Sequence, residues 1–336
     1  DRPGIMLSSA VRKYANTYAV KCGNNISIFT NNDDAYETAI TLYNKGVKVE
    51  SIIDIREKSD GTLPEKCKKL GIKIHWKSAV VYTEGYKKIN KIHVMRLSKD
   101  NSSVVGNKLK IACDLLCVSG GYTPAVHLFT QSGGKLDYNE KNYYFFPKKD
   151  SLNQISVGSC NGTFGLKNII SETQKKTREF LGIKEVDKIN VLDPKGGDFE
   201  NIWLLPSNKI PGKTKSFIDY QNDSTANDIK LALREGFKSI EHVKRYTTTG
   251  MATDQGKIAN MHALGIVSDI TNTKLGELGT TTFRPPYSPI TFGALVGRNV
   301  GQFFDITRKT PMHYWHKKNN AKFEDVGQWK RAWYYP

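Results

Sequence analysis

Apolar and polar positions fall into distinct regimes along the chain. Residues 8–20 (SSAVRKYANTYAV) read as a mixed helix following Pro3 and Gly4, and NISIF at 25–29 reads as a buried strand. The turn TNNDDAY leads into a helix carrying Ala35, Ala39, Ile40, Leu42 and Tyr43, which Gly46 ends; VKVESIIDIR then gives a second strand finishing near Asp54. Strand, turn, helix and strand, with an acid closing the second strand, is the layout of a dinucleotide-binding βαβ unit. Its glycine fingerprint is missing. Thr30, Asn31, Asn32, Asp33 and Asp34 stand in its place, and side chains with two carboxylates obstruct a pyrophosphate. The unit is expected to be Rossmann-like without a dinucleotide of its own, and Asp54 to be a structural acid. Residues 63–70 predict a short helix, 73–76 and 79–82 strand, and 89–97 with 108–118 an antiparallel meander.

The middle of the chain is richer in candidate chemistry. CDLLCVSGGYTPAVHLF is followed by ISVGSCNGTFGLKNIISE, where Gly158, Asn161, Gly162 and Thr163 precede a helix over about 165–181. A helix start of this kind can face a ligand phosphate or ring; the same glycines also make a tight strand-to-helix turn. Residues 186–215 carry Pro194, Gly196, Gly197, Pro206, Pro211 and Gly212 and read as a linker. Beyond it, Thr225 and Asp228 form a capping-box variant, and Ile229, Ala232, Leu233 and Phe237 recur at helical spacing. Gly236 suits the helix end, and Ser239 can cap a second helix with Ile240, Val243 and Tyr246. Lys244 and Arg245 beside Thr247, Thr248 and Thr249, then Gln255 and Lys257, offer charge and short donors to a phosphate. A solvated helix end followed by a polar turn fits the same run. Helical spacing continues through Ile258, Met261, Ala263 and Leu264, and from Thr280 to Tyr287 prolines impose an extended course.

Composition narrows the function classes. A chain of 336 residues suggests two or three domains. The net charge of +17 is spread along the chain, and the densest basic cluster, at 66–69, is short. We therefore expect attraction of a polyanionic cofactor or an acidic partner, and no nucleic acid. No apolar run reaches membrane-span length and no signal peptide is evident, so a cytoplasmic protein with no membrane contact is expected. Five cysteines, odd in number and without CxxC spacing, suit reduced thiols; Cys113 and Cys117 are expected on one face of a strand KIACDLLCV. His313 and His316 lie three apart with no completing cluster, so packing and hydrogen bonding are expected of them, and no metal. The chain opens DRPGIMLSSA and stops at WKRAWYYP, and is expected to be an internal stretch of a longer chain.

The stretch FIDYQNDSTANDIKLALREGFKSIEHVKRYTTTGMATDQGK resembles the small helical domain of the alpha subunits of heterotetrameric sarcosine oxidases. That domain is similar to the bacterioferritin-associated-ferredoxin-like (BFD-like) domain of related amine dehydrogenases, whose cysteines hold a [2Fe–2S] cluster. Here FIDYQND and GMATDQGK contain no cysteine, so no iron–sulfur cluster is expected. The segments around Gly120 and Gly158 resemble the return half of the two-dinucleotide-binding-domain flavoprotein fold. KTPMHYWHKKNNAKFEDVGQWKRAWYYP resembles the opening of the glycine-cleavage aminomethyltransferases, through Thr310, Pro311, Met312, His316, Ala321, Asp325, Gly327 and Trp329.

The resemblance implies an α/β and α+β multidomain chain. Residues 1–185 would be a partial Rossmann-like FAD/NAD-binding-type domain and 186–215 a linker. Residues 216–275 would be the cluster-less helical module, and 276–336 the start of a folate-binding aminomethyltransferase-like domain. It further implies an NAD in the complete protein, with the Gly158–Thr163 turn approaching a cofactor. It implies an FMN at the interface with a beta subunit, whose phosphate Lys244, Arg245, Thr247–Thr249, Gln255 and Lys257 would face. Tetrahydrofolate would bind mostly beyond residue 336. With beta, gamma and delta subunits, the implied activity is oxidative demethylation of sarcosine to glycine. Oxygen would be reduced to hydrogen peroxide and the one-carbon unit passed to tetrahydrofolate. Two alternatives stay open at this point: a subunit of a related amine or imino-acid dehydrogenase that exports electrons to a carrier, and a non-catalytic NAD-binding scaffold. No catalytic residue is assigned, because no nucleophile–base pair or paired carboxylates stand out.

Overall fold

The computed structural model describes residues 2–148, 154–183, 189–193, 195–206, 215–298, 300–303 and 305–336. Residues 2–284 form one compact unit and residues 285–336 a second. Of the expected linker, residues 186–188, 194 and 207–214 lie outside the described residues.

The first unit begins with β1 (Ile5–Leu7) and α1 (Ser8–Thr17), then β2 (Asn25–Thr30), α2 (Asp34–Asn44), β3 (Lys48–Asp54), α3 (Thr62–Lys69) and β4 (Lys73–His75). A meander of β5 (Ser78–Glu84), β6 (Lys91–Leu97) and β7 (Val104–Ala112) follows, and β8 (Leu115–Ser119) returns to the first sheet. That sheet is parallel throughout, in the order β1-β8-β2-β3-β4. The side-chain alternation of its strands feeds two cores. Ile26, Ile28, Ile52, Leu115 and Cys117 pack with Val11, Tyr36, Ala39, Leu42 and Cys67 of the three helices on one face. Phe29, Ile53, Leu116 and Val118 pack with Ile92, Val94 and Ile111 of the meander on the other.

One sequence expectation is corrected here, and one strand is new. The run 108–118 is not one strand. The Cys113 N–H donates to Asn90 O of the meander, while the Asp114 N–H donates to Asn25 O of the parallel sheet, so the chain changes sheets between them. The Asp114 carboxylate then accepts from the backbone of Asn24 and Asn25 and fixes the crossing. Cys113 and Cys117 are both buried, but in opposite cores. The new strand is β1, a three-residue edge strand whose Ile5 and Leu7 are exposed, for which hydrophobic patterning makes no prediction.

Next come α4 (His127–Gln131), the hairpin of β9 (Leu136–Asn139) and β10 (Tyr144–Pro147), a single 3-10 turn at Gly158–Asn161 and α5 (Leu166–Leu181). The helical module holds β11 (Phe217–Asp219), β12 (Ser224–Thr225), α6 (Ala226–Arg234), α7 (Ile240–Thr247), α8 (Ala259–Thr271) and α9 (Leu275–Leu278). The capping box forms as expected: the Thr225 N–H donates to Asp228 Oδ2 at 2.7 Å and the Thr225 side chain accepts from the backbone of Asp228. Gly236 follows the end of α6 with φ +94°, a conformation that costs a glycine little. Ile229, Ala232, Ile240, Val243, Ala263, Leu264 and Val267 make the module's core, joined by Phe145 of β10.

The second unit contains α10 (Phe292–Val296), β13 (Arg308–Lys309), α11 (His313–Lys318), β14 (Lys322–Val326) and β15 (Trp329–Tyr334), with β15 central in its sheet. His313 is buried and packs on Phe323, with ring centroids 4.7 Å apart, and His316 meets the Tyr335 hydroxyl. No helix among the described residues is long and apolar enough to cross a membrane.

Candidate functional site

In a doubly wound parallel sheet, ligands bind outside the carboxyl ends of the strands, where the strand order reverses. Here the chain winds one way from β2 through β3 to β4, and β8 lies on the other side of β2, so the reversal falls between β2 and β8. A cavity of about 320 Å³ opens at this point. Phe29, Thr30 and Asn31 from the end of β2, and Val118, Ser119 and Gly120 from the end of β8, line one side. Phe217, Ile218, Ala226, His262 and Ile266 of the helical module line another, and residues 201–205 complete the wall.

Those wall residues belong to a strap, 195–205, that crosses the sheet's carboxyl edge. It lies within the stretch read from sequence as a linker, and it is anchored at nearly every step. Lys195 exchanges backbone and hydroxyl hydrogen bonds with Thr62. The Gly197 N–H donates to Asp33 Oδ2 at 2.7 Å, Arg56 donates to Asp198 O at 2.9 Å, and the Asn31 amide donates to Glu200 O at 2.8 Å. Lys77 and Asn101 both donate to Glu200 Oε1, and Ile202 and Leu205 join the small core around Ile55, Ala79 and Leu97. Trp203 lies against α8 at Gly265, where a side chain would collide with the indole at 1.9 Å.

The turn between β2 and α2 bears on the dinucleotide question. Asp33 Oδ1 meets Arg56 at 2.8 Å and the Ser59 hydroxyl at 3.0 Å, while its second oxygen takes the Gly197 N–H. The Asp34 N–H is taken by Asn32 Oδ1 and the Tyr36 N–H by Asp33 O. Two donors at the start of α2, the Asp34 and Tyr36 N–H groups, are engaged, and carboxylates fill the place where a pyrophosphate would lie, so this turn does not fit the group. Asp54 is a buried structural acid. It accepts from the Tyr36 hydroxyl at 2.7 Å and from the Arg56 side chain at 2.7 and 3.0 Å. Burial pushes the Asp54 carboxyl upward, and the Arg56 bonds pull against that. Burial also opposes the Arg56 charge, but Asp54 and Asp33 outweigh it and keep the guanidinium protonated.

The residues assigned from sequence fall in two places. In the helical module, Lys244 and Arg245 occupy the last turn of α7, the first half-buried and the second exposed. The Thr247 and Thr249 hydroxyls are buried and bonded to each other at 2.8 Å, with Thr247 also donating to Val243 O. The exposed Thr248 donates to Thr247 O. Gln255 Oε1 accepts from the Arg284 backbone at 3.3 Å, and Lys257 is exposed. The cations are thus the groups of this set that could meet a phosphate, because the buried hydroxyls face inward.

In the second place, Glu172 gathers the turn. Its carboxylate accepts the Gly158 N–H at 2.9 Å, the Asn161 amide at 2.6 Å and Lys176 at 2.9 Å. The Tyr144 hydroxyl donates to Gly162 O at 2.6 Å, and the Thr163 N–H donates to Gly158 O. The start of α5 is already met by Asp193, which accepts the Leu166 and Lys167 N–H groups at 3.0 and 2.7 Å. A phosphate brought to α5 would have to displace that carboxylate. Sequence reasoning missed the cavity between β2 and β8. Its wall residues Trp203 and His262 are more than 80 positions away from both strands, and no local pattern joins them.

A parallel Rossmann-type sheet backed by a meander and joined to a small helical module defines a chain of mixed α/β, Rossmann-type fold. The crystal structure of L-proline dehydrogenase from P. horikoshii matches 88% of this chain and 54% of that one, with a TM-score of 0.52 and 19% sequence identity, a likeness of fold. Residues 213–298 match the sarcosine oxidase A3 domain. The chain is 37% identical over 346 residues to sarcosine oxidase subunit alpha of Corynebacterium sp. (strain P-1), covering 100% of this chain and 35% of the relative. It is also 37% identical over 340 residues to the subunit of that name from Rhizobium meliloti (strain 1021), of which it covers 33%. The chain belongs to the sarcosine oxidase alpha-subunit family and spans about a third of the length of the relatives it matches.

Proposed function

We propose that the complete protein is the alpha subunit of a heterotetrameric sarcosine oxidase, working with beta, gamma and delta subunits in the cytoplasm. In this reading sarcosine is oxidatively demethylated to glycine, oxygen becomes hydrogen peroxide and the one-carbon unit passes to tetrahydrofolate. The observation that carries it is the unbroken similarity to named alpha subunits across all of this chain. The cysteine-free helical module supports the oxidase over a dehydrogenase that exports electrons, since a [2Fe–2S] relay needs thiolate ligands.

The chain's own residues have limited parts in this scheme. An FMN, when bound, supplies electron transfer to oxygen. Lys244 and Arg245 would hold its phosphate by charge, while the Thr247–Thr249 hydrogen bonds fix the turn that follows them. The β2–α2 turn does not fit a dinucleotide pyrophosphate, so an NAD in the complete protein would bind elsewhere, with the Gly158–Thr163 turn as its proposed neighbour. Residues 1–185 are proposed as the nucleotide-binding-type domain, 216–275 as the cluster-less module and 276–336 as the start of the folate domain.

The test is to purify the complex and follow oxygen uptake, peroxide and methylenetetrahydrofolate on adding sarcosine. Sarcosine-dependent peroxide with folate capture supports the reading. Reduction of an artificial dye without oxygen uptake would instead place the protein among the dehydrogenases.

A further inference from the structure

We propose that the crevice between the carboxyl ends of β2 and β8 binds an uncharged planar heterocycle of nucleobase size, and does not bind its phosphorylated forms. The inference stands on the crevice itself and is independent of the proposed oxidase activity.

Position is the first argument. This is the one place in an open parallel sheet where loops diverge and leave room for a ligand, and the cavity of about 320 Å³ is of the size that holds a small molecule. The lining supplies the second. Phe29, Trp203 and Phe217 offer aromatic surface to a flat ring, and Ile55, Val118 and Ile266 offer aliphatic surface. No Lys, Arg, Asp or Glu is among the described residues that line it. A charged ligand would lose its hydration there without gaining a counter-charge, whereas a neutral one would not.

Polar groups capable of orienting a ring are nevertheless present. His262 donates from Nδ1 to Ile258 O at 3.0 Å, since a carbonyl can only accept, and this leaves Nε2 as an acceptor in the neutral ring. Asn201 adds an amide to the lining. An acceptor beside an amide suits a heterocycle that carries both N–H donors and ring acceptors.

Exclusion of phosphate follows from the turn next to the crevice. Asn31 lines the cavity, and two residues further on the Asp33 carboxylate is held by Arg56, Ser59 and Gly197. A phosphate extending from the ring toward α2 would meet that carboxylate, and would find the Asp34 and Tyr36 N–H groups engaged.

Equilibrium dialysis of the complete purified protein against labelled adenine, adenosine and AMP tests this, with Ile202→Trp as a variant that fills the crevice. The expected result is saturable binding of adenine or adenosine at one site per chain. AMP should bind at least about tenfold more weakly, and Ile202→Trp should lose at least about tenfold in adenosine affinity. Equal affinity for adenosine and AMP would overturn the proposal. So would adenosine binding that persists unchanged in Ile202→Trp, which would assign it to another nucleotide site. Absence of saturable binding up to about 1 mM would overturn it as well. Should the variant fail to fold, the order of affinities in the unaltered protein still decides.

Discussion

Replacing Gly265 by Ala sets two effects of opposite sign against each other at one position. Gly265 is buried within α8, and the indole of Trp203 lies on it. A methyl group there would sit 1.9 Å from one indole carbon, with two more ring atoms at 2.3 and 2.5 Å. Ordinary contact begins at 3.4 Å, so the ring or the helix must retreat by 3.4 − 1.9 = 1.5 Å. The indole also has edge contacts with Tyr143 and His262, at centroid distances of 6.4 and 6.3 Å, which a shift would spoil. Overpacking of this kind costs roughly 1–3 kcal/mol, and with three ring atoms in overlap the upper end applies. Alanine in place of glycine within a helix returns about 1 kcal/mol. The net expectation is a loss of about 2 kcal/mol, or a fall in Tm of roughly 4–8 °C for a unit of this size. In a Trp203→Ala background the collision is gone and the helix preference remains. Gly265→Ala should then stabilise, by about 1 kcal/mol or somewhat less. Thermal and urea unfolding of the four proteins measures both steps. A substitution with the same sign in both backgrounds would refute the packing of Trp203 on α8.

Arg56→Met removes the shared cation from Asp33 and Asp54 and should destabilise by roughly 3–5 kcal/mol, because a buried carboxylate is left unpaired; urea unfolding measures it, and a near-neutral result would contradict the buried cluster. Burial pushes the thiols of Cys67 and Cys113 up to about 12 and about 11, whereas Cys160 is exposed. A thiol reagent at pH 8 should therefore react rapidly with Cys160, and the fast phase should vanish in Cys160→Ser. Burial pushes the Glu172 carboxyl up, but bonds from Thr163, Lys176, Gly158 and Asn161 outweigh it and hold it at about 2. A lowered carboxyl stabilises fully above its ordinary value of about 4.3 and loses that contribution as pH falls toward 2, so Glu172→Gln should flatten the decline in Tm below about pH 4.5; parallel curves would refute this. Replacing both Lys244 and Arg245 by Ala should lower FMN retention in the complete complex, and unchanged flavin stoichiometry would remove them from the phosphate site.

Local signals were the legible part of this chain. The βαβ unit, the capping box and the meander each follow from residues a few positions apart, and Asp54 could be read as structural because the turn before it lacked glycine. β1 escaped because an edge strand with exposed Ile5 and Leu7 shows no buried face. The change of sheets at Cys113 escaped because apolar alternation runs on through it; only hydrogen bonds to two different partners reveal the break. Proline and glycine in 186–215 correctly mark irregular backbone but say nothing of what that backbone touches, and the strap's anchors lie more than 90 residues upstream. At the candidate phosphate run, hydroxyl-rich composition did not show that Thr247 and Thr249 turn inward.

The strap has a consequence for the order in which the protein is made. Its bonds to Asp33 and Asn31 span 164 and 169 positions, and its bond to Arg56 spans 142. On a ribosome, the five strands of the parallel sheet are complete once residue 119 has emerged, but their carboxyl edge stays uncovered for some 80 residues more, until the strap arrives. During that interval Asp33 lacks the Gly197 N–H and the apolar ends of β2 and β8 face water. Such late, long-range closure slows folding and leaves a sticky intermediate. A nascent chain halted between residues 120 and 195 should be the form that chaperones hold longest.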